Sequence, residues 1–141
     1  MALKKRGINQ KCHYMTPGDF YDKLNKEFNF DFDPCPLYSN FNGLYVEWGR
    51  SNFINPPYNR KLKESFIIKA YEESLKGKLC VMLLPVSTSS KIFHEVILPN
   101  AEVRFIKGRI TFIEVDKNLK PIKQVWHSLH DSMVVIFRPR K

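Results

Sequence analysis

Residues 51–58 have the sequence SNFINPPY, and the fold is best predicted by working outward from them. Phe53 and Ile54 are typical of the last residues of a buried strand. The chain cannot continue into a ladder or helix after them, because proline has no backbone N–H and forces the residue before it into extended geometry. Asn59 is a favourable N-cap, so a helix is expected to begin near Arg60. The stretch therefore predicts a strand, a stiff corner and a helix.

The corner at residues 55–58 offers a particular set of chemical groups. These are the amide oxygen of Asn55, the backbone carbonyl of Pro56 and the ring of Tyr58. Two adjacent acceptors can hold both hydrogens of a planar NH2 group while an aromatic ring stacks on the flat system that bears it. Accepting these hydrogens returns electron density to the nitrogen and favours its attack on an electrophile. The alternative interpretation is a rigid turn with Tyr58 packed against it.

Length and composition indicate an ordinary globular chain of one domain. It has 141 residues, of which 43% are hydrophobic and 26% are charged. No apolar run approaches membrane-spanning length, and the N-terminus lacks the apolar segment of a secretory signal. The three cysteines are an odd number without a close pair, which argues against a disulfide framework. We therefore expect a cytoplasmic protein.

The charge balance points to a polyanionic partner. The chain carries 23 basic and 14 acidic residues, a formal net charge of +9, and nucleic acid is the natural partner for such a protein. A basic but merely solvated surface is the alternative. Residues 1–13 are predicted to form a basic N-terminal arm, and residues 14–141 a single domain.

The hydrophobic pattern predicts alternating helices and strands. Helical spacing covers 20–28, 62–75 and a shorter stretch at 91–98, whereas strands are expected at 28–33, 51–54, 79–84, 103–106, 110–113 and 132–137. The unbroken apolar run at 79–84 is typical of a central parallel strand. Six phenylalanines are predicted to lie in the core: Phe20, Phe28, Phe30, Phe32, Phe66 and Phe105. The pattern favours an α/β fold with a mostly parallel sheet and a C-terminal antiparallel hairpin.

Several short motifs together resemble a known family. In chain order they are Thr16-Pro17 before a helix, Phe30-Asp31-Phe32-Asp33, Trp48, the corner at 55–58, Leu83-Leu84-Pro85, Phe93-His94 and Gly108-Arg109-Ile110-Thr111-Phe112. In this order they resemble the phage-type DNA N6-adenine methyltransferases, which use S-adenosylmethionine. The resemblance covers residues 14–137 and implies an abbreviated Rossmann-like methyltransferase fold. It also implies a location in the cytoplasm of a host cell if the protein is phage-encoded.

The resemblance assigns roles to individual residues. Asn55, Pro56, Pro57 and Tyr58 would hold the target adenine as the catalytic corner, and Asp33, Thr16, Pro17 and Pro34 would bind S-adenosylmethionine. The chain departs from larger methyltransferases because none of its six glycines are paired as G-x-G, so the usual glycine-rich cofactor loop is absent. The short interval between Asp33 and Asn55 also requires an abbreviated sheet.

Other residues carry weaker signals. Lys107 and Arg109, with Arg104, are candidates to bind substrate DNA through its phosphates, although edge-strand charge that prevents aggregation is the alternative. Asp33 can also simply cap the turn after it. No metal is expected, because the spacing of Cys12, His13, His127 and His130 is not a strong zinc pattern. His94 is expected to be packed or on the surface.

Three classes of function remain open from the sequence. The favoured one is a DNA adenine methyltransferase with DNA as its partner. The second is a methyltransferase that acts on RNA adenine or on a protein glutamine amide, since the amide NH2 presents the same chemical problem. The third is a non-catalytic nucleic-acid-binding protein with the same fold, which would show no specific binding of S-adenosylmethionine.

Overall fold

The structure is a computed structural model that describes residues 14–37, 39–57, 59–116, 118, 120–127 and 130–140, with the backbone alone at 14–15, 113–115 and 121–127. The predicted arm at 1–13 lies outside this range. In chain order the elements are β1 (Tyr14–Met15), α1 (Gly18–Phe28), β2 (Ser51–Ile54), α2 (Arg60–Leu75), β3 (Leu79–Pro85), α3 (91–100, π-helical at Phe93–Ile97), β4 (Glu102–Phe105), β5 (Thr111–Val115), β6 (Pro121–His127) and β7 (Ser132–Phe137). Within the described residues, no helix has the length and apolar character needed to cross a membrane.

The main sheet is mixed, so the prediction of a mostly parallel sheet was wrong. Its strand order is β2-β3-β7-β4, in which β2 and β3 are parallel while β7 is antiparallel to both of its neighbours. The last strand has six buried residues, and this apolar character suits it to a central position between β3 and β4. The α/β character was predicted correctly.

The predicted strands at 103–106 and 110–113 flank Gly108 but do not pair with each other. β4 and β5 belong to different sheets, because β5 pairs with β1 and β6 in a small antiparallel sheet of its own. A turn at Gly108, with φ +79°, separates them. The antiparallel hairpin therefore consists of β5 and β6, and β7 follows it.

The predicted strand at 28–33 is reduced to a single bridge. Phe28 ends α1, and Asn29 takes a left-handed conformation (φ 52°) while its N–H donates to the Asn25 carbonyl. Phe32 then forms a parallel bridge with Asn52 at the open edge of β2. Asn29 interrupts the alternating pattern, because a residue with positive φ cannot continue an extended strand. The segment nevertheless runs beside β2 in the same direction and ends at Asp33.

Apolar side chains pack on both faces of the main sheet. The α2 and α3 face contains Trp48, Ile54, Phe66, Ile67, Ala70, Cys80, Met82, Leu84, Phe93, Ile97, Met133, Val135 and Phe137, and the α1 face contains Leu24, Phe28, Phe53, Val81, Leu83, Ile110, Phe112, Val134 and Ile136. Phe20, Phe30 and Phe32 are partly buried against these clusters. Phe105 is 63% exposed at the end of edge strand β4, so its assignment to the core was wrong.

A buried carboxylate stabilises the C-terminal end of α2. Glu73 accepts hydrogen bonds from Lys78 (2.9 Å), Lys76 (3.1 Å) and Lys69 (3.4 Å), and Lys78 also donates to the Trp48 carbonyl at 2.9 Å. Burial alone would raise the pKa of Glu73, but the hydrogen bonds and positive charges of the lysines outweigh it and lower the pKa to about 2. The ionised form is therefore the one that stabilises the fold.

We expect Glu73→Gln to lower the free energy of unfolding by about 1–3 kcal/mol at neutral pH, because three ammonium groups lose their shared acceptor. Since the folded pKa lies below its ordinary value, the contribution of Glu73 should be present above about pH 4.5 and lost as the pH falls towards 2. Urea unfolding across this range measures both effects. Glu72→Gln, at an exposed neighbouring position, is the control, and equal losses from both variants would contradict the account.

Candidate functional site

One edge of the main sheet collects the carboxyl ends of its strands. β2 and β3 are parallel, the Phe32 segment runs beside them, and β4 shares their direction because both β3 and β4 are antiparallel to β7. Asp33, the corner at 55–57 and the residues after Pro85 therefore follow one another along this edge. Carboxyl ends of strands in α/β sheets are where ligands bind.

The amide nitrogen of Asn55 is bonded to the side chain of Thr16. Its Nδ2 donates to the Thr16 Oγ1 at 3.1 Å, and the side chain is partly buried. Thr16 lies between β1, which pairs with β5, and α1, where the Pro17 carbonyl accepts the Tyr21 N–H at 3.0 Å. Because the nitrogen is the bonded end, the Asn55 oxygen is left to accept a hydrogen bond from a ligand. The structure thus joins two predicted site residues that lie 39 positions apart.

The two prolines of the corner keep its backbone out of the strand ladder before it and out of the helix after it. Pro56 is buried and Pro57 partly buried. Among the described residues, no N–H donates to the Pro56 carbonyl, so within that part of the chain this acceptor is available to a ligand. Asn59 caps α2 by accepting the Leu62 N–H at 3.1 Å, as predicted. Tyr58 lies outside the described residues, and its stacking role stays a prediction.

Asp33 follows the Phe32 segment at the open edge of β2. Its Oδ1 accepts the Cys35 N–H at 2.8 Å, so the residue does cap the following turn. The side chain is exposed to solvent, yet the protein around it reduces hydration of the carboxyl. Burial raises its pKa to about 6, against a smaller lowering effect of the Cys35 N–H. A carboxylate with this pKa gains from a cationic or hydroxyl-bearing partner.

The loop that follows supports the turn at Asp33. Pro34 is buried, and a Cβ at Gly43 would collide with the Pro34 carbonyl, so only glycine fits there. The Gly43 carbonyl in turn accepts the Trp48 indole N–H at 2.8 Å. Pro34 therefore packs against a fixed loop, which holds the turn at Asp33 in place.

Tyr21 is a further candidate for the site that the sequence did not identify. Its ring packs edge-on against Phe53, with centroids 5.2 Å apart. Its pKa is raised first by burial and then by the negative charges of Asp33 and Asp22, which places its hydroxyl within electrostatic reach of Asp33. Helical spacing marked Tyr21 only as an apolar position. The signal that could have identified it is its place one helical turn after Pro17.

Lys107 and Arg109 lie on the same sheet edge but at a distance from Asn55. Both are exposed, and the Arg109 Nε is 3.7 Å from an Asp131 carboxylate oxygen. They follow β4, which is three strand spacings from β2, or about 14 Å. The structure therefore does not bring them to the corner, although they face the same side.

The third predicted phosphate-binding residue, Arg104, is engaged elsewhere. Its guanidinium makes two hydrogen bonds to Glu27, at 2.7 and 2.8 Å, and one to Glu102 at 2.8 Å. These contacts tie edge strand β4 to α1. Arg104 therefore has a structural role in joining the two elements.

The remaining candidates are His94, the buried cysteine Cys80 and the possible metal ligands. His94 is exposed, in agreement with the surface alternative, and one of its imidazole nitrogens lies 2.6 Å from the Thr88 carbonyl. Burial raises the pKa of Cys80 to about 12, so this thiol is not a nucleophile. The described part of the chain contains no cluster of three or more metal-ligating side chains, while Cys12, His13 and the side chain of His127 lie outside it.

Comparison with known proteins identifies the family. No curated protein matches the chain. The family model described as DNA N-6-adenine-methyltransferase (Dam) matches residues 5–141, which is nearly the whole sequence. The mixed α/β architecture is consistent with a methyltransferase fold, and the match includes every described residue of the candidate site. The chain therefore belongs to the DNA N-6-adenine-methyltransferase (Dam) family.

Proposed function

We propose that the protein transfers a methyl group from S-adenosylmethionine to the N6 amino group of adenine in DNA. The observation that carries the proposal is the Asn55–Thr16 hydrogen bond, which leaves the Asn55 oxygen to accept from an amino group. The family supports adenine in DNA as the target, and the net charge of +9 suits a polyanionic substrate. Asn55, Pro56 and Pro57 form the described part of the catalytic corner, and Tyr58 completes it in the proposal.

The residues near Asp33 fit the cofactor chemically. Asp33 uses one oxygen for the Cys35 N–H, and in the described part of the chain its carboxylate forms no ion pair. A poorly hydrated carboxylate suits the ammonium or ribose hydroxyls of S-adenosylmethionine. Pro17, Pro34 and Tyr21 would contribute to the cofactor site around Asp33. When bound there, S-adenosylmethionine supplies a methyl group activated by its positively charged sulfur.

The corner itself acts by orientation and polarisation. The Asn55 oxygen and the Pro56 carbonyl would each accept one hydrogen of the adenine NH2, which holds its nitrogen in line for attack. These contacts strengthen as positive charge develops on the nitrogen, so they stabilise the transition state more than the ground state. Asn55 is neutral and removes no proton beforehand. The adenine must leave the helical stack to reach the corner.

The structure suggests a positioning role for Thr16 in place of direct cofactor contact. We expect Thr16→Val to lower kcat about 2–10-fold, because the amide loses a hydrogen bond worth about 0.5–1.5 kcal/mol and can rotate. Thr16→Ser should retain most of the activity. Steady-state kinetics and calorimetry with S-adenosylhomocysteine separate the roles: weakened binding at unchanged kcat would instead assign Thr16 to the cofactor.

A substrate comparison tests the proposed reaction. Purified protein is incubated with labelled S-adenosylmethionine and, in separate reactions, with adenine-containing duplex DNA, RNA of the same sequence and glutamine-containing peptides. Label should enter DNA at adenine. Preferential labelling of RNA or of the peptides would replace DNA with that substrate, and S-adenosylmethionine binding without transfer to any of them would contradict the proposal.

A further inference from the structure

A cleft of about 350 Å³ opens on the sheet edge beside the corner. Its floor is apolar and comes from three elements, namely Ile67 of α2, Leu84 of β3 and Met133 of β7, all of which are buried. Its rim is polar and is formed by the first turn of α2 and the loop after Pro85. The cleft is large enough for more than a single ion, so its occupant is expected to have both an apolar and a polar part.

Cationic and hydroxyl groups dominate the rim. Arg60, Lys63 and Glu64 come from α2, and Ser87 and Ser89 from the loop. Glu64 is 3.4 Å from Arg60, so this pair is internally compensated and Lys63 supplies the net positive charge. In the described part of the chain, neither an ion pair nor a side-chain hydrogen bond engages the Lys63 ammonium.

Lys63 is also partly withdrawn from water. Its pKa is lowered first by burial, with the charge of Glu64 raising it and that of Arg60 lowering it further. An ammonium that has lost part of its hydration without gaining a partner is stabilised when an anion approaches. Ser87 and Ser89, on the loop that forms the other part of the rim, are exposed, and their hydroxyls can donate to an anion in the cleft.

The cleft and Asp33 lie on opposite sides of β2, the strand that ends next to Asn55. Asp33 follows the segment that pairs with the open edge of β2, whereas the cleft begins at β3, on the other side of β2. The proposed methyl donor and the contents of the cleft would therefore reach the corner from opposite directions. This arrangement favours substrate over cofactor in the cleft.

We propose that the cleft binds one nucleotide of the DNA strand next to the target adenine, with its phosphodiester against Lys63, Ser87 and Ser89. This inference rests on the proposed function, because it takes DNA as the substrate. The phosphodiester would supply the anion for the rim, and the sugar and base would cover the apolar floor. The contact would fix the strand while the neighbouring adenine occupies the corner.

Phosphate scanning with matched variants tests the inference. A set of duplexes carries one uncharged methylphosphonate at successive positions around the adenine, and binding to each is measured with the parent, Lys63→Met, Lys63→Arg and Lys61→Met. Lys61 lies on the same helix turn, is exposed and does not line the cleft. Lys63→Met should reduce the salt slope of log K by about 0.9, as expected for one lost phosphate contact.

The decisive comparison is between the scan and the variants. One methylphosphonate position next to the adenine should weaken binding by the parent, Lys63→Arg and Lys61→Met, but should have no further effect on Lys63→Met. Calorimetric affinity for S-adenosylhomocysteine should be the same in all four. Identical scans for Lys63→Met and the parent would overturn the inference even if the parent methylates DNA, and binding of inorganic phosphate with an unchanged scan would assign the cleft to a free anion. Failure of the parent to methylate DNA would instead count against the proposed function.

Discussion

Asn55→Ala is expected to lower the rate of methyl transfer by about 10²–10³, the loss seen when an oriented hydrogen-bonding group of comparable role is removed. The oxygen of Asn55 is positioned by the hydrogen bond of the amide to Thr16 at 3.1 Å. Alanine removes both the acceptor oxygen and the amide nitrogen that bonds to Thr16. The effect should fall on kcat, because the contact strengthens as charge develops on the amino nitrogen. Single-turnover methyl transfer from labelled S-adenosylmethionine to duplex DNA measures it.

Two comparisons separate a chemical role from a structural one. Asn55→Asp keeps an acceptor oxygen and should be the milder change. Asn59→Ala, which removes the α2 cap but no acceptor at the corner, should cost about 1 kcal/mol of stability with little effect on the rate in the folded protein. A loss from Asn59→Ala equal to that from Asn55→Ala would show that the corner acts only as a turn.

Asp33→Asn is expected to weaken binding of S-adenosylhomocysteine by roughly 10–150-fold, which corresponds to a lost charged hydrogen bond of about 1.5–3 kcal/mol. Asparagine retains an oxygen for the Cys35 N–H, so the turn should persist. In the parent, affinity should decrease as the pH falls through about 6, because protonation removes the negative charge of Asp33. This pH dependence should be absent in Asp33→Asn. Calorimetry between pH 5 and 8 provides both measurements.

Removal of the Asp33 charge should affect the stability of the fold in the opposite sense to its effect on ligand affinity. The folded pKa of Asp33 lies above its ordinary value, so ionisation of this carboxyl opposes folding as the pH rises from about 3.8 to about 6. Asp33→Asn should therefore unfold at the same temperature as the parent or higher at pH 8. Asp22→Asn, at an exposed position of α1, is the control and should leave ligand affinity unchanged. Undiminished affinity in Asp33→Asn would remove Asp33 from the cofactor site.

Local sequence signals predicted the elements but not the order of the sheet. The proline corner, the Asn59 cap and the apolar run at β3 each depend on neighbouring residues, and the corner and the cap were confirmed. β3 is central as predicted, but it is parallel only to β2 and antiparallel to β7. The position of β7 between β3 and β4 depends on long-range pairing, which no local pattern records. The strand predicted at 28–33 was lost because Asn29 turns left-handed after α1, and alternation alone does not reveal such a break.

The sequence predicted individual residues of the candidate site but not the contacts between them. The sequence and the resemblance singled out Asn55, Asp33 and Thr16, but not the hydrogen bond that joins Thr16 to Asn55. Tyr21 was missed because a tyrosine on the buried face of a helix has the same periodicity whether or not its hydroxyl faces a carboxylate. The cleft beside α2 was missed because its rim combines two segments that meet only in the folded chain.

The central claim is that the corner at Asn55 methylates adenine in DNA, and the most direct measurement is mass spectrometry of nucleosides from duplex DNA treated with purified parent or Asn55→Ala protein. The account predicts N6-methyladenine in the parent reaction and about 10²–10³-fold less of it in the variant reaction at early times. Equal amounts of N6-methyladenine from the two proteins, or none from a parent protein that binds S-adenosylmethionine, would contradict it.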